Sequence, residues 1–127
     1  MPSVLDSSQK RTILAVDDDP ENLHLINELL KDEYRVRLAS SGEQALQAAR
    51  QAPLPDAILL DIVMPGLSGN ETLSALRARG IEIPAIAITG MPDKASTGFL
   101  AVLGKPIEML HLTQLIAVAT RRRRSER

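Results

Sequence analysis

The chain has 127 residues, the size of one domain rather than two, and can bury roughly two thirds of the surface its unfolded form exposes. It has no cysteine for disulfides or thiolate metal sites, no membrane-spanning apolar run, and only Tyr34 and Phe99 as aromatics, so its core must be aliphatic. The net charge of −1 is uneven: RRRRSER at 121–127 carries +4, and the remainder, with 10 basic and 15 acidic side chains, carries −5.

Residues 1–10 read as an N-terminal extension; MPSVLDSSQKR lacks the apolar stretch of a secretory signal, so a soluble cytoplasmic protein is expected. TILAV (12–16) is a first β-type run, and three carboxylates, Asp17, Asp18 and Asp19, follow it. DPENLHLINELLKD then predicts a helix, with Asp19 as N-cap and Pro20 at the first helical position, where its missing N–H costs nothing. Leu23, Leu25, Ile26, Leu29 and Leu30 are expected on one face of it. YRVRLA (34–39) is a second strand and SGEQALQAARQ (41–51) a second amphipathic helix. AILLD (57–61) runs into Asp61 before the chain breaks at Pro65 and Gly66, and GNETLSALRAR (69–79) forms a third helix.

AIAIT (85–89) ends in Thr89, and only GMPDKASTG separates it from FLAVL (99–103). A typical helix needs about eleven residues, so the fourth helix is predicted to be truncated or absent. Lys105 follows the fifth strand, and IEMLHLTQLIAVAT (107–120) predicts a last helix. Its Ile107, Met109, Leu110, Leu112, Leu115, Ile116 and Val118 spread around nearly the full circumference, leaving apolar surface for a homodimer, a docking contact or packing against the neighbouring loop. The arginine run reads either as a nucleic-acid or acidic-lipid contact or as a solvated chain end. Without interleaved aromatics the second reading is preferred, and neither nucleic acid nor membrane is expected as a partner. Strand and helix alternating in this way predict an α/β fold, a three-layer doubly wound sheet of five parallel strands.

Open parallel sheets bind ligands at the carboxyl ends of their strands. Asp17, Asp18, Asp19, Asp61, Thr89 and Lys105 all fall on that edge. Two like charges about 4 Å apart repel by roughly 1 kcal/mol in water and 4 kcal/mol at an effective dielectric near 20, so the carboxylates need a cation. Mg²⁺ prefers one or two carboxylates, several waters and phosphate oxygens. A carboxylate can also act as nucleophile and form an acyl phosphate, while an ammonium and a hydroxyl stabilise charge on the equatorial oxygens.

ILAVDDDP, AILLDIVMPGLSG, AIAITG and GKP, in this order and spacing, resemble the receiver domain of two-component response regulators. The resemblance covers roughly residues 11–119 and places a receiver domain at 11–120, followed by the basic tail 121–127. It implies the flavodoxin-like strand order 2-1-3-4-5 and a signalling module that catalyses only its own phosphorylation and dephosphorylation. In the resemblance Asp61 is the phosphoacceptor, charged by a sensor histidine kinase or phosphotransfer protein, and the output is binding to a downstream protein target. Mg²⁺ is then held by Asp17, Asp18, Asp61 and the backbone carbonyl of Val63. Thr89 and Lys105 bind phosphoryl oxygens, Gly90 leaves the group room, and the peptide bond before Pro106 is cis.

The chain departs from that family in three places. Val102 stands where receivers commonly carry an aromatic three residues before the lysine, which puts a ring-flip readout in doubt. The stretch between Thr89 and Lys105 is short, so phosphorylation is expected to reorder loop 90–98, which Gly90 and Gly98 leave mobile. Val63 and Met91 cannot orient a water by hydrogen bonding, which predicts slow self-dephosphorylation. His24 and His111 have no partner at ligand spacing and read as surface or packing residues. Two alternatives stay open. One is a phosphate-independent interaction module; the other is a phosphatase of the haloacid-dehalogenase type, in which the Asp17-x-Asp19 pair supplies nucleophile and acid.

Overall fold

Residues 10–125 are described by the computed structural model. The N-terminal extension, apart from Lys10, and residues 126–127 of the basic tail lie outside them. The aliphatic runs form five parallel strands: β1 (Thr12–Val16), β2 (Arg35–Ala39), β3 (Ala57–Leu60), β4 (Ala85–Thr89) and β5 (Ala101–Gly104). Their order is β2-β1-β3-β4-β5, as the resemblance implies. Every residue of β1, β3 and β4 is buried, which is why these strands read as unbroken apolar runs rather than alternating ones. The edge strands β2 and β5 are partly exposed.

Four helices connect or flank them: α1 (Pro20–Leu30), α2 (Gly42–Ala48), α3 (Gly69–Ala78) and α4 (Met109–Ser125). The first three start at side-chain caps. Asp19 accepts from the Glu21 N–H at 2.9 Å, as expected of it, and Ser41 accepts from the Gln44 N–H at 3.1 Å. Ser68 and Glu71 cap each other's backbone at the start of α3, at 3.1 and 2.9 Å.

The pleat divides the core in two. Ile13, Ala15, Leu59, Ile86 and Ile88 face Leu23, Ile26 and Leu30 of α1 and Leu112, Ile116 and Ala119 of α4. Leu14, Val16, Ile58, Leu60 and Ala85 face Ala45 and Leu46 of α2 and Leu73 and Leu76 of α3. Leu25 does not join the buried stripe: it is 43% exposed, because two positions after Leu23 a helix has turned about 200°. On α4 the apolar ring splits in the same way. Leu112, Ile116 and Ala119 are buried, whereas Met109, Leu110 and Val118 face solvent. The helix also continues past Thr120 to Ser125, so the boundary drawn at residue 120 is not a break in secondary structure.

No fourth helix lies between β4 and β5; a single 3₁₀ turn, Pro92–Lys94, stands in its place. Phe99 packs against the α2 and α3 side of the core, and Val102 of β5, on the uncovered edge, is 42% exposed. Loop 90–98, expected to be mobile, is tied to α3: the Asn70 amide donates to the Lys94 carbonyl at 2.8 Å and its oxygen accepts from the Ser96 N–H at 2.9 Å.

At the start of α3, Gly69 sits directly on the β3 exit, and its N–H donates to the Ile62 carbonyl at 2.8 Å. A Cβ there would run into the Asp61 carbonyl and the Ile62 backbone, neither of which can yield. Gly69→Ala is therefore expected to lower stability in urea melts by about 3 kcal/mol. Gly80→Ala meets open space and only a positive φ of 77°, so its expected loss is about 1 kcal/mol.

Candidate functional site

Asp17, Asp61 and Lys105 are each the first residue beyond a strand, and their backbones remain in the ladder. Asp17 N–H donates to the Ala39 carbonyl at 3.2 Å, Asp61 N–H to Val16 at 3.0 Å, and Lys105 N–H to Thr89 at 2.9 Å. This pairing aims three side chains from sequence-distant segments into one place. Lys105 Nζ donates to Asp17 Oδ2 at 3.0 Å and to Asp61 Oδ2 at 3.2 Å. The two carboxylates are almost wholly buried, and Lys105 is partly so. The peptide bond between Lys105 and Pro106 is cis, and so is that between Ala52 and Pro53.

Asp17 is further held on both oxygens. Oδ1 accepts from the Asp19 N–H at 2.9 Å, and Oδ2 accepts from the Asn22 side-chain amide at 3.2 Å. Asn22 is absent from the sequence reading; its signal was a polar residue one turn into α1, five positions after Asp17. Asp18 is exposed beside the pair, and one carboxylate oxygen from each of Asp17, Asp18 and Asp61 lies within 4.8 Å of the others. Asp19 stands apart as the α1 cap. Thr89 is fully buried on the same edge, and its hydroxyl oxygen accepts from the Met91 N–H at 3.0 Å. Val63 and Met91 are exposed at the rim. A Cβ on Gly90 would meet nothing within 4 Å, so packing does not require glycine there.

Burial is the main force raising the Asp61 carboxyl above the usual carboxylate range; the Asp17 charge adds to it, and the charge and hydrogen bond of Lys105 oppose it. For Lys105, burial alone would lower the ammonium, but its hydrogen bond and attraction to Asp17, and then to Asp61, outweigh burial and raise it. One partly buried cation thus faces two buried anions and a third at the surface. Three oxygens so close together suit a hard divalent cation, which would relieve the excess negative charge.

Because the folded state raises the Asp61 pKa, the native chain binds its proton more tightly than the unfolded chain does. This contribution to stability is present at low pH and is lost as pH rises through the ordinary carboxylate range to the raised value. Asp61→Asn is therefore expected to melt a few degrees above wild type at pH 7, with the gap closing toward about pH 4, as thermal scans across that range will show.

A family model for the response regulator receiver domain matches residues 13–117. A probable cyclic di-GMP phosphodiesterase of Vibrio cholerae is 40% identical over 92 residues, 69% of this chain and 21% of that protein. The signal transduction histidine-protein kinase BarA of Escherichia coli is 37% identical over 125 residues, 91% of this chain and 14% of the kinase. The chain therefore spans about a fifth or less of these curated relatives. Among solved structures, a response regulator receiver domain protein from Clostridium thermocellum superposes with a TM-score of 0.84 at 28% identity, covering 92% of this chain and 99% of that one. The response regulator TrrA of Thermotoga maritima, in complex with Mg²⁺ and BeF, gives a TM-score of 0.78 at 28% identity, covering 86% and 98%. With its 2-1-3-4-5 sheet and these matches along nearly its whole length, the chain belongs to the response regulator receiver domain family of two-component systems.

Proposed function

We propose that this chain accepts a phosphoryl group on Asp61 from a phosphohistidine of a sensor histidine kinase or phosphotransfer protein, and that the modified form changes its binding to a downstream protein target. The observation that carries this reading is the Lys105 ammonium held at 3.0 and 3.2 Å from Asp17 and Asp61 at the mouth of the sheet. In the transfer an Asp61 oxygen forms a bond to phosphorus as the bond to the histidine nitrogen breaks, and the donor imidazole leaves as its neutral form after taking up a proton. Lys105 meets charge on one equatorial oxygen. Thr89 meets another after its hydroxyl turns from Met91. Asp17, Asp18, Asp61 and the Val63 carbonyl would hold Mg²⁺, which when bound supplies positive charge for the carboxylates and for the incoming phosphoryl oxygens.

Val63 and Met91, each two residues beyond Asp61 and Thr89, are exposed apolar residues, and they suit the approach of a phosphohistidine-bearing helix. Met109, Leu110 and Val118 give α4 a surface for self-association or for the downstream target. Among the described residues no helix is long and apolar enough to cross a membrane, and we place the domain's action in the cytoplasm. The phosphatase alternative fits less well, since Asp19, its required acid, is committed to capping α1.

The test is incubation with Mg²⁺ and a small phosphodonor such as acetyl phosphate, followed by intact mass. A gain of one phosphoryl group that disappears without Mg²⁺ and in Asp61→Asn is expected; labelling that survives in Asp61→Asn and fails in Asp17→Asn points instead to the phosphatase. Mg²⁺ alone is expected to raise the melting temperature, with stabilisation of roughly 2.7 kcal/mol at one hundred times Kd. Since Val63 cannot orient an attacking water, Val63→Asn should lose its label several-fold faster than wild type in a mass-spectrometric time course.

A further inference from the structure

The segment that replaces the fourth helix hangs from two points. At its start, Met91 N–H donates to Thr89 Oγ1 at 3.0 Å. At its far end, Asn70 holds both the Lys94 carbonyl and the Ser96 N–H, at 2.8 and 2.9 Å. Gly98, at a φ of 107°, then brings the chain against Leu73, and Phe99 enters the core. Asn70 is itself the second residue of α3, directly after the Gly69 that rests on the Asp61 and Ile62 backbone. Hydrogen bonds and covalent chain therefore close a circuit from Asp61 through α3, Asn70 and the loop to Thr89.

We infer that Asn70 is a positioning residue for Thr89: by fixing the loop at residues 94 and 96 it holds Met91 where the Thr89 hydroxyl must leave it in order to reach a phosphoryl group on Asp61. This rests on the phosphoacceptor reading of Asp61. In this proposal the Thr89 oxygen, which accepts from the Met91 N–H in this structure, turns from it when it engages the phosphoryl group. Met91 can follow only if the short loop moves, and Asn70 ties that loop three and five residues further along. A contact made in the resting arrangement alone biases the equilibrium toward rest. Freeing the loop lets Met91 keep its partner and favours the phosphoryl-bound arrangement.

The experiment compares Asn70→Ala with wild type by amide hydrogen exchange in the free protein and by titration with beryllofluoride and Mg²⁺. The Ser96 amide is expected to exchange roughly tenfold faster in the variant, and beryllofluoride to bind roughly threefold or more tighter. Asn70→Asp keeps the acceptor for the Ser96 N–H but loses the donor to the Lys94 carbonyl, so it should fall between the two. An unchanged circular dichroism spectrum and a cooperative melt certify the fold of both variants. Faster exchange with unchanged affinity reduces Asn70 to a loop tether and overturns the coupling, as does unchanged exchange. Wild-type protein that takes up no beryllofluoride overturns the receiver reading and the coupling with it; the exchange result in the free protein tells these failures apart.

Discussion

A single ammonium stands between two buried carboxylates, and the organisation of the functional edge follows from that imbalance. Lys105 reaches Asp17 and Asp61 at 3.0 and 3.2 Å, yet it can cancel only one of the two charges. Burial and Asp17 together leave Asp61 with a raised pKa in spite of the lysine. The arrangement is stable enough to form because Asp17 also accepts from the Asp19 N–H and the Asn22 amide. It remains electrostatically incomplete, which is the property a site for a cation and a transferable phosphoryl group requires.

That imbalance depends in turn on strand order. β1 lies between β2 and β3, so Asp17 and Asp61 leave adjacent strands at the same level. Lys105 comes from the far edge, two strands from Asp61, with Thr89 on β4 between them. Pairing of Thr89 with Gly104 sets β5 so that the next residue is the lysine. A shift of β5 by one residue would turn its side chains to the other face and take the ammonium out of the site.

The departure from the usual receiver plan lies beside this site. Where a helix would cover β4 and β5, the chain makes one 3₁₀ turn; Phe99 packs on that side of the core, Gly98 lies against Leu73, and Asn70 tethers the loop. Glycines at 90 and 98 had marked this loop as free to move. In this structure two backbone hydrogen bonds to one side chain on a neighbouring helix tie it to α3, and Val102 is left partly exposed on the edge.

Much of the molecule was legible without coordinates because its signals are local. Unbroken apolar runs marked the covered strands, Asp19 followed by Pro20 marked the start of α1, and the nine residues between AIAIT and FLAVL were too few for a helix. The strand-end positions of Asp17, Asp61, Thr89 and Lys105 also follow from these runs, and the rule for open sheets put them on one edge. Tertiary structure alone decided which of these groups touch: Lys105 meets partners 88 and 44 residues away, and Asn70 meets the loop 24 and 26 residues on. It also turned Leu25 to solvent, split the apolar ring of α4, and joined Asn22 to Asp17. Periodicity along a chain records which residues prefer burial or a given backbone shape; register and helix placement, which set the contacts between distant segments, arise only when the segments pack.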